Sequence, residues 1–424
     1  MRLLYSLAWW LALPLVLARL WRRGRQEPGY RLHLAERLGF YQRLAPDRAP
    51  CIWVHAVSVG ETRAAEPLID ALLLAYPDHT ILLTHMTPTG RAAGQALFGR
   101  HASRVRQSYL PYDTGWMAGR FIRHFAPRLC VLMETEVWPN LVAQCAAHRV
   151  PVALVNARLS ERSLKKAHRF SALMTEAARG LSAVAAQTEA DAARLRQLGA
   201  RNVQVTGSIK FDVTLPETAL KTGADLRAQI GSRPVLLCAS TREGEEALIL
   251  DAMQALEMAD TLLIIVPRHP QRFDEVARMI AAHGLSMARR SALGDAGLPF
   301  DARVLLGDSM GEMFAYYAAC DVAFIGGSLL PLGGQNLIEA CAVGKPVLIG
   351  PHTFNFTAVS EDAIAAAAAL RVMDAQGMLR AAQRLLHADA EREAMGANAQ
   401  AFARQHRGAT ARTMTVLQAK LLSP

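Results

Sequence analysis

The chain has 424 residues, 51% of them hydrophobic and 20% charged. That is enough apolar material for two or three packed domains, and it excludes a disordered chain or a small disulfide scaffold. Basic residues outnumber acidic ones by 47 to 37, and all but six of the basic residues are arginine; the bias suits partners carrying phosphate or carboxylate, which the guanidinium fork pairs bidentately. Nucleic acid is not an expected partner, because the arginines are scattered and no dense basic helix with interleaved aromatics occurs. Cys51, Cys130, Cys145, Cys238, Cys320 and Cys341 lie far apart, mostly in apolar runs, with no CxxC pair or Cys/His cluster. They read as buried thiols in a reducing compartment.

Residues 3–18, LLYSLAWWLALPLVLA, form one apolar stretch followed by Arg19, Leu20, Trp21 and the basic run Arg22, Arg23, Arg25. The stretch is shorter than the roughly 20 residues that span a bilayer. No small-residue cleavage site follows it, and the charge lies on the wrong side for an exported body. An anchor lying in or dipping into the membrane, a short tilted span and a core helix all fit. Trp9, Trp10 and Trp21 favour the interface, and the arginines after the segment favour a cytoplasmic body.

From Cys51 onward, β-rich runs alternate with amphipathic segments. Strands are expected at 52–57, 79–86, 104–111, 129–134, 151–157, 181–187 and 203–208, with helical spacing between them, as in Leu68, Ile69, Leu72 and Leu73. The stretch 211–233, with Pro216 and Gly223, carries little β signal and reads as a domain boundary. Beyond it the scheme repeats at 234–240, 261–269, 284–290, 302–308, 321–328, 345–351 and 370–373, before an Ala-rich helical remainder. Strict alternation implies two doubly wound parallel sheets, with ligands in a cleft at the carboxyl ends of the strands.

The loops after those ends carry the candidate chemistry. In HAVSVGETRAAEP, Glu61 offers a carboxylate at a strand mouth to take a proton from a bound hydroxyl. Ser58 and Glu61 also have capping-box spacing, which would make Glu61 a helix-start partner, while Pro67 argues for a start nearer Ala64. Both readings stand. In THMTPTGR, Thr84, Thr87, Thr89 and Gly90 fit a polar pocket or a turn with an N-cap. METEVWPN is expected to place Glu134 and Glu136 on one face, where two carboxylates raise one another's pKa. Asn156, Arg158 and Arg162 follow the next strand. Lys210 follows the last strand of the first half, placed for an anionic group or for solvent.

In the second half, VPRHPQRF sets Arg268 and His269 between Pro267 and Pro270. GDSMGEMF reads as a strand, Gly307 and a helix capped by Ser309, its amides around Met310 and Gly311 facing an oxyanion. GGSLLPLGGQNLIEA repeats the device, with Gly326, Gly327, Gly333 and Gly334 before a helix starting near Asn336 and Glu339 placed to meet ribose hydroxyls. Two such loops in succession point to a nucleotide-sugar site. No GxxxxGKS/T loop, no GxGxxG opening the first half and no Asp-x-Asp pair for a metal-held diphosphate occurs, so kinase and dehydrogenase chemistry, with their metal and dinucleotide cofactor, lose ground.

HAVSVGE, MTPTGR, YLPYD, METEVWPNL, NARLSERS, VTGSIKFD, STREGEE, VPRHPQRF, GDSMGEM and GPHTFNF together closely resemble the Kdo (3-deoxy-D-manno-octulosonic acid) transferases of lipopolysaccharide synthesis. The resemblance runs from the N-terminal segment to about residue 360. It implies an α/β GT-B glycosyltransferase with two Rossmann-like domains facing across a cleft. Residues 1–25 would be the membrane anchor, 26–215 the acceptor domain and 216–424 the CMP-Kdo domain with C-terminal helices. The reaction implied is inverting, metal-independent transfer of Kdo from CMP-Kdo to the lipid A precursor lipid IVA, at the cytoplasmic face of the bacterial inner membrane. Carried over residue by residue, the catalytic base falls on Glu61 and the transition-state stabilisers on Glu134 and Lys210. Contacts to CMP fall on Pro267 and Arg268, on Met310, Gly311 and Glu312, and on Asn336, Leu337, Ile338 and Glu339. One stretch departs from the family pattern: GGQNLIE stands where GGHNPLE is usual, with Gln335 for histidine and Leu337 for proline. Neither the number of Kdo units added nor the oligomeric state is legible.

Overall fold

The computed structural model describes residues 1–421 apart from 26, 43–48, 169–170, 213–214, 257, 259 and 295–296. The chain divides into two compact units, one built from Met1–Asp212 with the C-terminal stretch from Arg407, the other from the intervening residues to His406.

The first unit holds β1 (Cys51–His55), β2 (Thr80–His85), β3 (Val105–Tyr109), β4 (Leu129–Met133), β5 (Val152–Ala157), β6 (Ala183–Ala186) and β7 (Val203–Val205). They form one sheet in the order β3-β2-β1-β4-β5-β6-β7, and every pair is parallel. The reason is visible in the residues: β1 and β4 are buried at every position, as a strand covered on both faces must be. Alternation along β1 sends Ile52 and Val54 to one face, with Leu68, Ile69 and Leu72, and Trp53 to the other, with Phe121 and Phe125. The strand order reverses between β1 and β4, the switch point at which ligand crevices form in such sheets.

The second unit repeats the architecture with β8 (Val235–Thr241), β9 (Leu262–Pro267), β10 (Met287–Arg289), β11 (Val304–Leu306), β12 (Val322–Ile325), β13 (Val347–Ile349) and β14 (Ala369–Arg371). Their order is β10-β11-β9-β8-β12-β13-β14, again wholly parallel. Each of the fourteen expected runs contains or overlaps one strand.

Two expectations are corrected. The C-terminal domain does not run to the end of the chain, because the last helix, Ala409–Leu421, belongs to the first unit. The Asp212 carboxylate accepts the backbone N–H groups of Gly408 and Thr410, Arg412 Nε donates to the Thr206 carbonyl at 2.8 Å, and Ala409, Met414 and Leu417 enter the first core. The N-terminal segment is one helix, Arg2–Arg23, and the core-helix reading fails for it. Leu13, Val16, Leu17 and Leu20 pack with Tyr112 and Met117, but Leu3, Leu11 and Leu15 are 87%, 72% and 74% exposed on the opposite face. All six cysteines are buried.

Candidate active site

Glu61 lies on a short helix, Val59–Ala64, that follows β1. Pro67 lacks the N–H that would continue the ladder, so a second helix, Glu66–Ala75, starts after Ala65. The capping box does not form, because Glu61 reaches one residue past the N-cap. The Ser58 hydroxyl makes no capping bond and donates instead to Glu61 Oε1 at 3.4 Å, while Glu61 Oε2 accepts the Val57 N–H at 2.8 Å. Burial pushes the Glu61 carboxyl up to about 7, the neighbouring charges of Glu136 and Glu134 add to the rise, and the Val57 N–H opposes it. A carboxyl poised there has the proton affinity of a general base at neutral pH.

Glu134 follows β4 but is not on a strand face. Its φ is +54°, a left-handed conformation that costs a β-carbon-bearing residue about 1 kcal/mol or more. The turn redirects the side chain, so the expected same-face pairing with Glu136 by strand alternation does not occur. Glu134 is 5% exposed, with Lys210 Nζ 2.9 Å from Oε1 and Arg158 Nε 2.9 Å from Oε2. Glu136 accepts from Trp138 Nε1 at 2.9 Å, and its carboxyl is raised chiefly by burial, with Glu134 adding to it.

Lys210 sits on a short 3-10 turn, Ile209–Phe211, after β7. Gly207, at φ +83°, turns the chain, and buried Asn156 after β5 fixes the turn by accepting the Ile209 N–H at Oδ1, 3.2 Å away. Asn156 and Arg158 are therefore supports of the glutamate–lysine pair, which their position after a strand had made candidates without defining a role. The threonines take the plainer of their two readings: Thr87 caps the helix Pro88–Phe98 through the Gly90 N–H, and Thr84 is buried, accepting from Trp53 Nε1 at 2.8 Å.

In the second unit Pro267 ends β9, and the Arg268 N–H donates to the Thr241 carbonyl at 2.9 Å, tying the ends of β9 and β8 together. Arg242, Arg268 and Arg272 all lower the pKa of His269, after the effect of its partial burial, which marks this rim as positive. Ser309 does not cap a helix. Its hydroxyl engages Glu312 at 2.5 Å and the Tyr316 hydroxyl at 2.6 Å, and the helix starts later, at Met313, with Glu312 as its cap residue and paired to Arg290 at 3.0 Å. Met310 is 57% exposed beside Gly311, whose φ is +84°.

Gly326 and Gly327 do not present their amides outward either. Buried Glu245, from STREGEE, accepts the N–H groups of Arg242 (2.9 Å), Gly327 (2.6 Å), Ser328 (3.0 Å) and Leu329 (3.0 Å). An internal carboxylate thus occupies the nest that the glycine pattern had offered to a ligand. The second glycine pair is not used this way. Asn336 Oδ1 accepts the Ile338 N–H at 3.1 Å and its Nδ2 donates to Glu339 at 3.3 Å, ahead of a helix, Ile338–Ala342, that starts two residues later than expected. Leu337 and Ile338 are 1% and 0% exposed and the Ile338 N–H is taken by Asn336, so neither of these two expected contacts presents a surface to a ligand here.

A sequence profile of the 3-deoxy-D-manno-octulosonic-acid transferase family matches residues 32–213. Over its length the chain is 50% identical to the 3-deoxy-D-manno-octulosonic acid transferase of Bordetella pertussis, covering 98% of each protein. It is 37% identical to that of Haemophilus influenzae, covering 96% of this chain and 95% of the relative. The chain belongs to the Kdo transferase family.

The solved structures agree on architecture. A glycosyltransferase from Rickettsia africae matches with a TM-score of 0.60 at 12% identity, covering 89% of this chain and all of that one. A UDP-GlcNAc 2-epimerase from Neisseria meningitidis matches with a TM-score of 0.59 at 15% identity, covering 87% of this chain and all of that one. The GT-B fold is therefore shared with a protein named for different chemistry, so the assignment to the Kdo transferases rests on sequence and not on shape. In this Kdo transferase Glu61, Glu134 and Lys210 all lie in the first unit, and the residues expected to contact CMP all lie in the second. Glu245, which holds the loop after β12, was legible only as part of STREGEE, and nothing in its own position indicated that role.

Proposed function

We propose that this Kdo transferase moves Kdo from CMP-Kdo to a hydroxyl of lipid IVA, with inversion and without a metal, and that Glu61 is the base. The observation that carries the reading is the Glu61 carboxyl, raised to about 7 at the switch point of the first sheet, with the Glu134–Lys210 pair near it. In the step, the acceptor oxygen attacks the anomeric carbon as Glu61 takes its proton. The bond from that carbon to the phosphate oxygen breaks, and its electron pair leaves with CMP. An oxocarbenium-like centre forms between, and the paired Glu134 and Lys210 stabilise the charges that develop around it. On the donor side the positive rim at Arg268, the segment 310–312, and Asn336 with Glu339 would hold cytidylate, whose added charge on departure needs no Lewis acid when arginine meets it.

The acceptor is a membrane lipid, and we place the protein on the cytoplasmic face of the inner membrane. The helix Arg2–Arg23 is roughly 33 Å long by its rise per residue, but Trp9, Leu13, Val16, Leu17 and Leu20 are committed to the first unit. It therefore lies along the leaflet instead of crossing it. Its outer leucines are continued by Trp10, Trp116 and Phe40, whose rings are 6.4 and 5.9 Å apart in succession, and arginines flank them as anionic headgroups require. Titration of the full-length protein with CMP and UDP tests the donor: tighter CMP binding is expected, and a preference for UDP would overturn the reading.

A further inference from the structure

YLPYD, one of the motifs that mark the chain, supplies none of the groups proposed to touch either substrate. Its last residue, Asp113, follows β3 and is 2% exposed. Its carboxylate accepts the N–H groups of Asn140 at 3.1 Å and Leu141 at 2.8 Å, two of the orphan donors that open the helix Pro139–Ala147. Trp138, the residue in the cap position, supplies no side-chain cap. The Asn140 side-chain amide, 5% exposed as a residue, donates to the Asp113 carbonyl at 2.6 Å and to the Ser6 hydroxyl at 2.9 Å. The Tyr5 side chain lies against the same Asp113 carboxyl, whose charge, after burial, raises the pKa of the phenol, and one turn further on the Trp9 ring is 5.7 Å from that of Tyr112, tilted by 30°. A buried polar knot thus joins three places: the N-terminal helix, the loop after β3, and the start of the helix after β4.

Glu134 and Glu136 lie on the short segment between β4 and that helix. One end of the segment is held by the sheet, the other by Asp113. We propose that Asp113 and Asn140 are positioning residues for this segment, and that the N-terminal helix, through Tyr5 and Ser6, is part of the framework of the active site as well as a membrane anchor. The proposal rests on the reading of Glu134 as a group close to the reaction. Glu134 and Glu136 also act on Glu61 through their charges, so a loosened segment disturbs the base as well as the stabilising pair.

The test is Tyr5→Phe combined with Ser6→Ala in the full-length protein, assayed in detergent micelles at saturating lipid IVA and CMP-Kdo, where recruitment to a membrane does not limit the rate. The expected result is a kcat lower by about fivefold or more, the worth of one neutral hydrogen bond. KM for both substrates and binding to anionic vesicles stay unchanged, and hydrogen exchange in the 134–141 peptide becomes faster. Unchanged kcat and exchange would overturn the proposal, as would a loss confined to KM or vesicle binding, which would make the helix a tether alone. Should the double variant fail to fold, Ser6→Ala removes one acceptor and is read by the same exchange measurement. A wild-type protein that transfers no Kdo would refute the proposed function, and the exchange result would still decide the coupling.

Discussion

Lys210 Nζ stands 2.9 Å from Glu134 Oε1, although the two residues leave from β7 and β4, with two strands of the sheet between those strands. Neighbouring strands lie about 4.8 Å apart, so the lysine reaches back over the sheet's carboxyl edge. It does so because Gly207 turns the chain and Asn156 holds the Ile209 amide. Lys210→Met would leave Glu134 buried with Arg158 as its remaining cation. A loss of about 1–3 kcal/mol in stability is expected from denaturant unfolding, together with a fall in kcat of about a hundredfold or more. Lys210→Arg should recover most of the stability.

Glu61 links catalysis and stability through one proton. Folding raises its carboxyl from the ordinary 4.5 to about 7, so the stability it contributes is fully present below about 4.5 and is lost as pH rises through about 7. Glu61→Gln keeps an acceptor for the Val57 N–H. Thermal unfolding should find it within about 1 kcal/mol of wild type near pH 5 and at least as stable at pH 8. Turnover requires the ionised form, so kcat/KM of the wild type should climb with pH to a plateau, with its midpoint near 7.

The sheets were legible because buried parallel strands are written as continuous apolar runs, which is why all fourteen could be placed from residues such as those of β1 and β4. Glu61 was legible as a loop carboxylate at a strand mouth, and its capping-box reading could be set aside only by seeing that Ser58 does not cap. The left-handed turn at Glu134 was not legible, since nothing local to METE demands a positive φ; the ion pairs with residues from β5 and β7 hold it. Glu245 was missed for the same reason, as its four amide partners come from its own loop and from the loop after β12. The return of the last helix to the first unit depends on Asp212, whose carboxylate meets amides from the other end of the chain.

Glu245→Ala should be among the more damaging substitutions outside the proposed chemistry. It frees four amides at once, three of them buried, and a loss of about 3–5 kcal/mol is expected by calorimetry. Where the variant remains folded at low temperature, its affinity for CMP should fall as the 326–329 loop relaxes.

Leu11 and Leu15 point away from the protein and are 72% and 74% exposed. Replacing both with glutamate removes no packing, so unfolding in detergent should move by less than about 0.5 kcal/mol. Flotation with anionic vesicles should lose most of the bound protein, because the change removes apolar area and adds charge of the wrong sign.

In the proposed reaction the Glu61 carboxylate, on the helix after β1, draws the proton from a lipid hydroxyl as Kdo leaves cytidylate. Mass spectrometry of lipid IVA incubated with CMP-Kdo tests it, using full-length protein and folded Glu61→Gln side by side. Lipid IVA heavier by one or more whole Kdo residues is expected with wild type, and an unchanged acceptor with the variant. An unmodified lipid in the presence of active donor and wild-type protein, or equal product from the variant, would contradict it.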